Sequence, residues 1–442
     1  MEVRERVFKL IQDEDIQQVR VSLCDMSGIS RIKSMPIDRF KEISKTGLPF
    51  PSAILSLDSG FTRAQGTGFD SKCAFPNFLL VPDLTSFRKI PWAPGVGHVM
   101  ANPYFYDGRP VMAAPRAVLC RLVKQYQEMG LVTMFGSELE FFVYKNVDDQ
   151  LQPVTRDWQA LSEYRHIQSD FVLETISEYL NQAGFKILDC CHENAPGQFE
   201  INFCPLDGVA AADAALFFKT GVKEIMYKQG YLSSFMTKPY NDRYGCGYHL
   251  HICLLDEQGK NLFYDPHAPD MLSEMCRHFA GGLLRHAKAV TALSVPTING
   301  YKRMVPYSYA PINACWGKDN RTVMIRIPSE RGKGTRLEDR RPEAAANPYI
   351  VMAGTLAAGL DGIRNSIEPG EFLDDNAYEV KELEMLPQSL DAAVEELRKD
   401  KVLQEILGEE FMKCFVAIKN HEIDRFRKYV TDWERNEYFE LF

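Results

Sequence analysis

The stretch 135–144 reads FGSELEFFVY, an apolar and aromatic run interrupted by two carboxylates. Side chains alternate between faces along a strand, so Glu138 and Glu140 point one way while Leu139 and Phe141 point the other. Two adjacent carboxylates taken out of water repel each other and are poorly solvated, so such a face must be hydrated, protonated or occupied by cations. A solvated outer face is the ordinary reading of an isolated Glu-x-Glu. Three further stretches repeat the device. In CHENAPGQFEINF (191–203), a Pro-Gly turn separates Glu193 from a short strand carrying Glu200 and Asn202 on one face. GCGYHLHICLL (245–255) sets His249 and His251 at i and i+2, with Leu250 and Ile252 opposite. RLEDR (336–340) brings Arg336, Glu338 and Arg340 to one side. Four strands with ionisable groups at alternate positions inside apolar text are best explained as walls of one charged cavity.

Glu138, Glu140, Glu193, Glu200 and Glu338, with His249, form the donor set that two hard divalent ions need. Oxygen-dominated ligation of this kind favours Mg2+ or Mn2+ over zinc. Five carboxylates against two dications leave roughly one net negative charge, so the cluster tolerates burial only with both ions present. The stretch 300–340 adds Arg303, Arg321, Arg326, Lys333, Arg336 and Arg340, several on or beside apolar strands. An exposed basic face is the plain alternative. Arginine, however, clamps carboxylate or phosphate oxygens with paired donors, and arginines around dications are repelled unless an anion lies between them. A nucleotide phosphate chain is that anion, and the combination points to phosphoryl transfer. No G-x-x-x-x-G-K-[ST] motif occurs, so the phosphate site must be built on strands.

The positioning elements follow from periodicity and turn chemistry. Residues 2–13 read as a short amphipathic helix, 18–24 and 30–36 as strands joined by a turn at 25–28, and about 38–46 as a second helix. A glycine-containing loop at 55–61 carries a single acid, Asp58. Strands at 78–83 and 97–101 complete a small mixed unit ending near the turn at 107–110. Ala114 and Pro115 then open a strong helix closed by Gly130, and the Glu138 strand follows directly. Helices are predicted at 168–184, 207–229 and 271–292, where His278 and His286 read as ordinary surface or core histidines. The apolar run 348–360 is a buried helix, too short to span a bilayer. From residue 389 onward the text is helical and rich in charge.

The chain has 442 residues, 45% hydrophobic and 25% charged, with a formal net charge of −9, which fits a large soluble enzyme of two domains, 1–107 and 108–442. The acidic balance, without a Lys/Arg block, argues against a nucleic-acid partner. The first residues are charged throughout and lack the apolar core of a signal peptide, so a cytoplasmic location without membrane attachment is expected. Eleven cysteines, an odd number without C-x-x-C spacing, read as reduced thiols and not as a disulfide framework or a zinc site. The adjacent Cys190 and Cys191 face opposite ways if extended and do not read as a redox pair.

The motifs FGSELEFF, HENAPGQFE, KPYNDRYGCGYHLH, YKRMVP, NRTVMIRIP and RLEDRRPEAAANPY occur in this order across almost the whole chain. With them, the sequence resembles the glutamine synthetase superfamily of type I architecture. The resemblance implies an α+β fold: an N-terminal β-grasp domain and a catalytic α/β domain whose antiparallel strands form an active-site funnel. It also implies a reaction in which ATP phosphorylates the γ-carboxylate of glutamate and an amine displaces the phosphate. Position by position, Glu140, Glu193 and Glu200 resemble the ligands of the metal that supports glutamate activation. Glu138, His249 and Glu338 resemble those of the metal on the nucleotide phosphates. Arg303 and Arg340 match the arginines that hold the two ends of glutamate, and the backbone of Gly245 matches the acceptor of its amino group. His251, Arg321, Arg326, Lys333 and Arg336 match positions around the phosphates. A ring-shaped homo-oligomer, a dodecamer of two hexameric rings, is implied as well.

Departures from the family pattern fall on the amine half of the reaction. Ammonia-using relatives carry a glutamate on the flap after the YKR segment; here Tyr309 stands there, and no acid occurs from Arg303 to Lys318. Asp58 matches the partner acid but sits in Asp58-Ser-Gly. Tyr244 replaces a glutamate-contacting asparagine and Cys253 a serine near the nucleotide. Tyr378 lies roughly where some relatives are adenylylated, in a stretch that matches poorly. The expected activity is therefore that of a glutamate–amine ligase taking an organic primary amine, with Asp58, Arg321 and Tyr309 as its catalytic groups. Ordinary glutamine synthetase using ammonia is the alternative, and a non-catalytic structural relative is a third reading, opposed by the retention of all six metal-ligand positions.

Overall fold

The computed structural model describes residues 3–156 and 159–442. Its N-terminal part is a mixed sheet in the order Ser30–Pro36, Gln18–Cys24, Val96–Tyr104, Asn77–Pro82, Leu48–Pro51, with the short strand Arg88–Lys89 also on Val96–Tyr104. Gln18–Cys24 and Val96–Tyr104 run parallel, and the other pairs are antiparallel. The sheet clasps the helix Ile37–Thr46, whose Phe40 and Ile43 are fully buried. The predicted helices and strands of this region are present. Leu48–Pro51 had no sequence expectation, because two of its four residues are proline and proline is a poor strand former.

The second sheet follows the order Trp316–Lys318, Ile325–Ile327, Leu337–Asp339, Tyr248–Leu255, Val132–Val147, Gln198–Phe203, Ile187–His192. Only the first pair is parallel. Its central strand, Val132–Val147, is longer than the motif that announced it. Phe135, Leu139, Phe141 and Val143 face a core also built from the helices Pro115–Glu128, Gly208–Lys228 and Pro348–Arg364. That leaves the even-numbered face, with Glu138 and Glu140, for the cavity.

Two expectations change. The helix expected at 271–292 is two, Glu274–Arg285 and Ala287–Ser294, broken at His286. The His286 ring is held by carboxylates from elsewhere in the chain, Nδ1 at 2.5 Å from Asp400 and Nε2 at 2.9 Å from Asp361. The helix expected from 168 begins at Glu163. Among the described residues, no helix is long and apolar enough to cross a membrane.

Candidate active site

Sheet register decides which ionisable groups meet. Glu200 lies directly opposite Glu140 on one side and opposite Cys191 on the other. Across the central strand, His249 is opposite Glu138, and His251 is opposite both Gly136 and Glu338. Opposed residues share a face of the sheet with their Cβ atoms about 5 Å apart. A continuous row of donors therefore crosses five strands. The ligand atoms of Glu138, Glu200 and His249 lie within 4.8 Å of one another, as do those of Glu138, His251 and Glu338 and those of Cys191, Glu193 and Glu200.

Contacts within the row are close. His251 Nε2 donates to Glu138 Oε1 at 2.6 Å while its Nδ1 accepts from Arg336 Nε at 3.1 Å. His249 Nδ1 lies 3.3 Å from Glu138 Oε2 and 3.8 Å from Glu338 Oε1. Glu140 Oε2 accepts from Gln198 Nε2 at 2.7 Å and from the Gly247 amide at 2.9 Å. A Cβ at Gly247 would stand 2.7 Å from Arg303 Nη2 and 2.9 Å from His249 Nε2, so a larger residue there would displace both groups.

The acids fall into two electrostatic classes. Burial, then the neighbouring Glu193, push the Glu140 carboxyl up to about 7 against the pull of Arg303. Burial and the three carboxylates of Glu138, Glu140 and Glu193 raise Glu200 well above the usual range. Glu338 is equally enclosed, but Arg340 and the two histidines outweigh burial and hold it at about 2. Glu138 is likewise held low by His251 and His249 despite burial, and burial with Arg340 brings His249 down to about 4. Glu338 thus has its counter-charge within the protein, whereas Glu140 and Glu200, raised by burial and by neighbouring carboxylates, ionise fully only beside a cation. This carboxylate-and-imidazole donor set fits hard divalent ions.

Glu138 is a wall shared by two cavities. The smaller, about 160 Å3, is lined by Glu138, Glu140, Glu193, Glu200, His249, Tyr244, Gly245, Arg303, Tyr309, Arg321 and Arg340. The larger, about 490 Å3, takes His251, Cys253, Lys333 and Arg336 together with Glu330. A wider groove of about 910 Å3 between the helices Val3–Asp13 and Ile37–Thr46 holds none of these residues. Arg303 is 3% exposed, its guanidinium donating to the carbonyls of Arg340, Arg341 and Pro342. Arg340 donates to Glu338, to the Arg321 carbonyl at 3.3 Å and to the Tyr309 carbonyl at 3.4 Å. The Gly245 carbonyl accepts from Gln198 Nε2 at 3.2 Å. Arg326 lines neither cavity and is engaged by Glu338 and Asp319, each at 2.5 Å.

Over the smaller cavity, Tyr309 packs on Tyr244 with ring centroids 5.6 Å apart. Tyr307 and Tyr309 both have positive φ, 61° and 60°, which costs a bulky residue about 1–3 kcal/mol and has to be offset by surrounding contacts. Tyr378 supplies one: its hydroxyl donates to the Ala310 carbonyl at 2.9 Å, and its ring lies 5.3 Å from that of Tyr307. The Tyr307 hydroxyl is bonded to Glu379, an acid that reaches the flap from outside it.

Asp58 joins neither cavity of its own chain. Its buried carboxylate accepts from the Thr62 amide and hydroxyl, each at 2.8 Å, and pairs with Arg425 of the helix Glu409–Arg427. The sequence reading leaves Gln198 and Glu379 out of the site and treats Cys191 only as a reduced thiol. Gln198 was within reach, standing two residues before Glu200 on the same strand face. Cys191 was within reach too, two residues before Glu193 and opposite Glu200 across the Pro-Gly turn, whereas Glu379 is placed only by a contact between distant segments.

Residues 112–438 match the family described as the glutamine synthetase catalytic domain. The glutamine synthetase of Methanosarcina mazei is 35% identical, over 99% of this chain and 98% of its own length. The gamma-glutamylanilide synthase of an Acinetobacter species is 31% identical, over 99% of this chain and 95% of its own. A solved GmaS–ADP complex superposes with a TM-score of 0.89 at 32% identity, covering 98% of this chain and 99% of that one.

Proposed function

This chain belongs to the glutamine synthetase family, and from that premise we propose that it is an ATP-dependent ligase joining the γ-carboxylate of glutamate to an organic primary amine, with ADP and phosphate as the other products. The observation that carries the choice of amine is the Tyr309–Tyr244 pair over the arginine-and-glutamate cavity. It offers an aromatic wall where ammonium would need carboxylates, suited to the apolar body of an alkyl or aryl amine. The relative named for an anilide product supports the same class.

Each half of the reaction has its residues. Arg303, whose visible partners are main-chain carbonyls, has guanidinium charge to offer one carboxylate of glutamate, and Arg340 approaches the other from beneath the flap. The Gly245 carbonyl, on the same cavity wall, accepts from the amino group. An oxygen of the γ-carboxylate attacks the terminal phosphorus of ATP, ADP departs, and Arg321 on the cavity rim meets the charge that develops on the transferred group. Lys333, Arg336 and His251 line the larger cavity, whose size suits the nucleotide. Two divalent ions, Mg2+ or Mn2+, would be held by Glu140, Glu193 and Glu200 and by Glu138, His249 and Glu338, and when bound they neutralise the carboxylate and phosphate oxygens. The amine nitrogen then attacks the acyl carbon, phosphate leaves, and the nitrogen's proton passes to a carboxylate. Asp58 of the partner subunit in a ring-shaped oligomer is assigned that role, since the cavities of its own chain do not include it.

One observation favours ammonia as a second reading: Glu379, bonded to Tyr307, brings a carboxylate to the flap. ADP release measured with glutamate and a panel of amines decides between the two. A primary organic amine that outcompetes ammonia supports the proposal, and equal or better use of ammonia rejects it.

A further inference from the structure

Cys191 belongs to the donor row but has no part in the reaction above. It lies on the strand Ile187–His192 directly opposite Glu200, so the register turns its thiol toward the acid cluster and its neighbour Cys190 to the other face, opposite Ile201. Its Sγ donates to Glu193 Oε1 at 3.4 Å, and Sγ and the carboxylate oxygens of Glu193 and Glu200 are all within 4.8 Å of one another. A tetrahedral ion with metal–sulfur and metal–oxygen bonds of about 2.3 and 2.0 Å spaces those two ligands about 3.5 Å apart, so the observed separation is already that of a ligand edge. Glu200, 9% exposed, is enclosed with three other carboxylates and calls for a cation at this spot.

We propose that Cys191 is a sulfur ligand available to the ion held by Glu193 and Glu200, which lets this position bind a borderline divalent ion such as Co2+ or Zn2+ more tightly than its carboxylates alone would. The inference rests on the assignment of an ion to this cluster in the proposed function. Carboxylates alone suit hard ions. A thiolate among them strengthens binding along the series that ends in copper and zinc and adds nothing for Mg2+. On binding, the thiol loses its proton to solvent and sulfur donates its electron pair to the ion, with no change of oxidation state. The half-buried position of Cys191 leaves the site open to an entering ion.

The test is a Co2+ titration of the full-length, chelator-treated protein followed by absorption, comparing wild type with Cys191→Ser and Cys190→Ser. Wild type and Cys190→Ser are expected to develop a near-ultraviolet thiolate-to-cobalt charge-transfer band, and Cys191→Ser to lose it while keeping the weaker visible bands of oxygen-bound Co2+. Co2+ affinity should fall in Cys191→Ser by at least about the tenfold that loss of a supporting contact causes, with Mg2+ affinity unchanged. Visible bands without charge transfer in wild type, or charge transfer that survives in Cys191→Ser, overturn the sulfur ligand alone. Absence of every cobalt band overturns the metal assignment of the site together with it.

Discussion

Glu140 and Glu200 stand directly opposite each other on adjacent antiparallel strands, each only 9% exposed. Like charges directly opposed on a sheet destabilise it, so this pair works against the fold unless protons or cations intervene. The other two acids of the row are better compensated: His249 and His251 both contact Glu138, and Arg326 and Arg340 both contact Glu338.

A pH signature of the metal-free protein follows. Burial and the neighbouring Glu193 push Glu140 up to about 7 from the ordinary glutamate value of 4.5. A carboxyl raised in the folded state stabilises the fold below its unfolded value and loses that contribution as pH rises through its folded value. Stability of chelator-treated protein should therefore fall between about pH 4.5 and 7, with Glu140 contributing on the order of 3 kcal/mol. Mg2+ should flatten the slope, and so should Glu140→Gln, which can still accept from Gly247. Thermal unfolding across this range checks it; parallel slopes for wild type and Glu140→Gln would show that this pair is not the cause.

Removing the two kinds of acid should have different consequences. Glu140→Ala should abolish ADP formation from glutamate while leaving nucleotide binding measurable. Glu338→Ala should weaken nucleotide binding and also cost about 3–5 kcal/mol, because the buried Arg340 and the partly buried Arg326 lose their shared carboxylate. Nucleotide titration and denaturant unfolding report these separately. Unchanged ATP turnover in both variants would falsify the metal assignment.

The flap prediction concerns the nucleophile. Wild-type kcat/KM for some primary organic amine should exceed that for ammonia by at least about tenfold, a difference of about 1.4 kcal/mol in the transition state. Tyr309→Glu should shift the ratio toward ammonia by placing a carboxylate where the tyrosine ring packs on Tyr244. Steady-state competition between the amines gives the ratio directly, and a ratio unmoved by the substitution removes Tyr309 from the specificity argument.

Sharing of the site between subunits has a clean test in subunit mixing. Truncating residues 1–100 is unsuitable, since it deletes Asp83, one of the two carboxylates on the buried Arg116. Asp58→Ala and Glu140→Ala should each be severely impaired as homo-oligomers. If Asp58 serves a neighbouring chain, mixed oligomers regain activity at interfaces where an intact Asp58 meets an intact Glu140. Mixtures that stay as inactive as their parents argue that Asp58 acts within its own chain or not at all.

The sequence by itself determined which residues share a face. Alternation along a strand is a local property of the backbone, so the pairs Glu138/Glu140 and His249/His251 were fixed by spacing alone, and the ordered motifs carried the family and its α+β fold. The helix Pro115–Glu128 was legible from Pro115 and Gly130 at its ends, and Pro348–Arg364 from an uninterrupted apolar run, both local features of the chain. The tertiary structure decided who faces whom. Cross-strand register, which sets Cys191 against Glu200 and Glu200 against Glu140, depends on how whole strands slide to bury their apolar faces, and no spacing within one strand encodes it. The break at His286, the pairing of Asp58 with Arg425 and the arrival of Glu379 at the flap likewise join residues far apart in the chain. Such contacts are set by the packing of the whole molecule, where the burial of many apolar groups determines which distant polar groups must find each other.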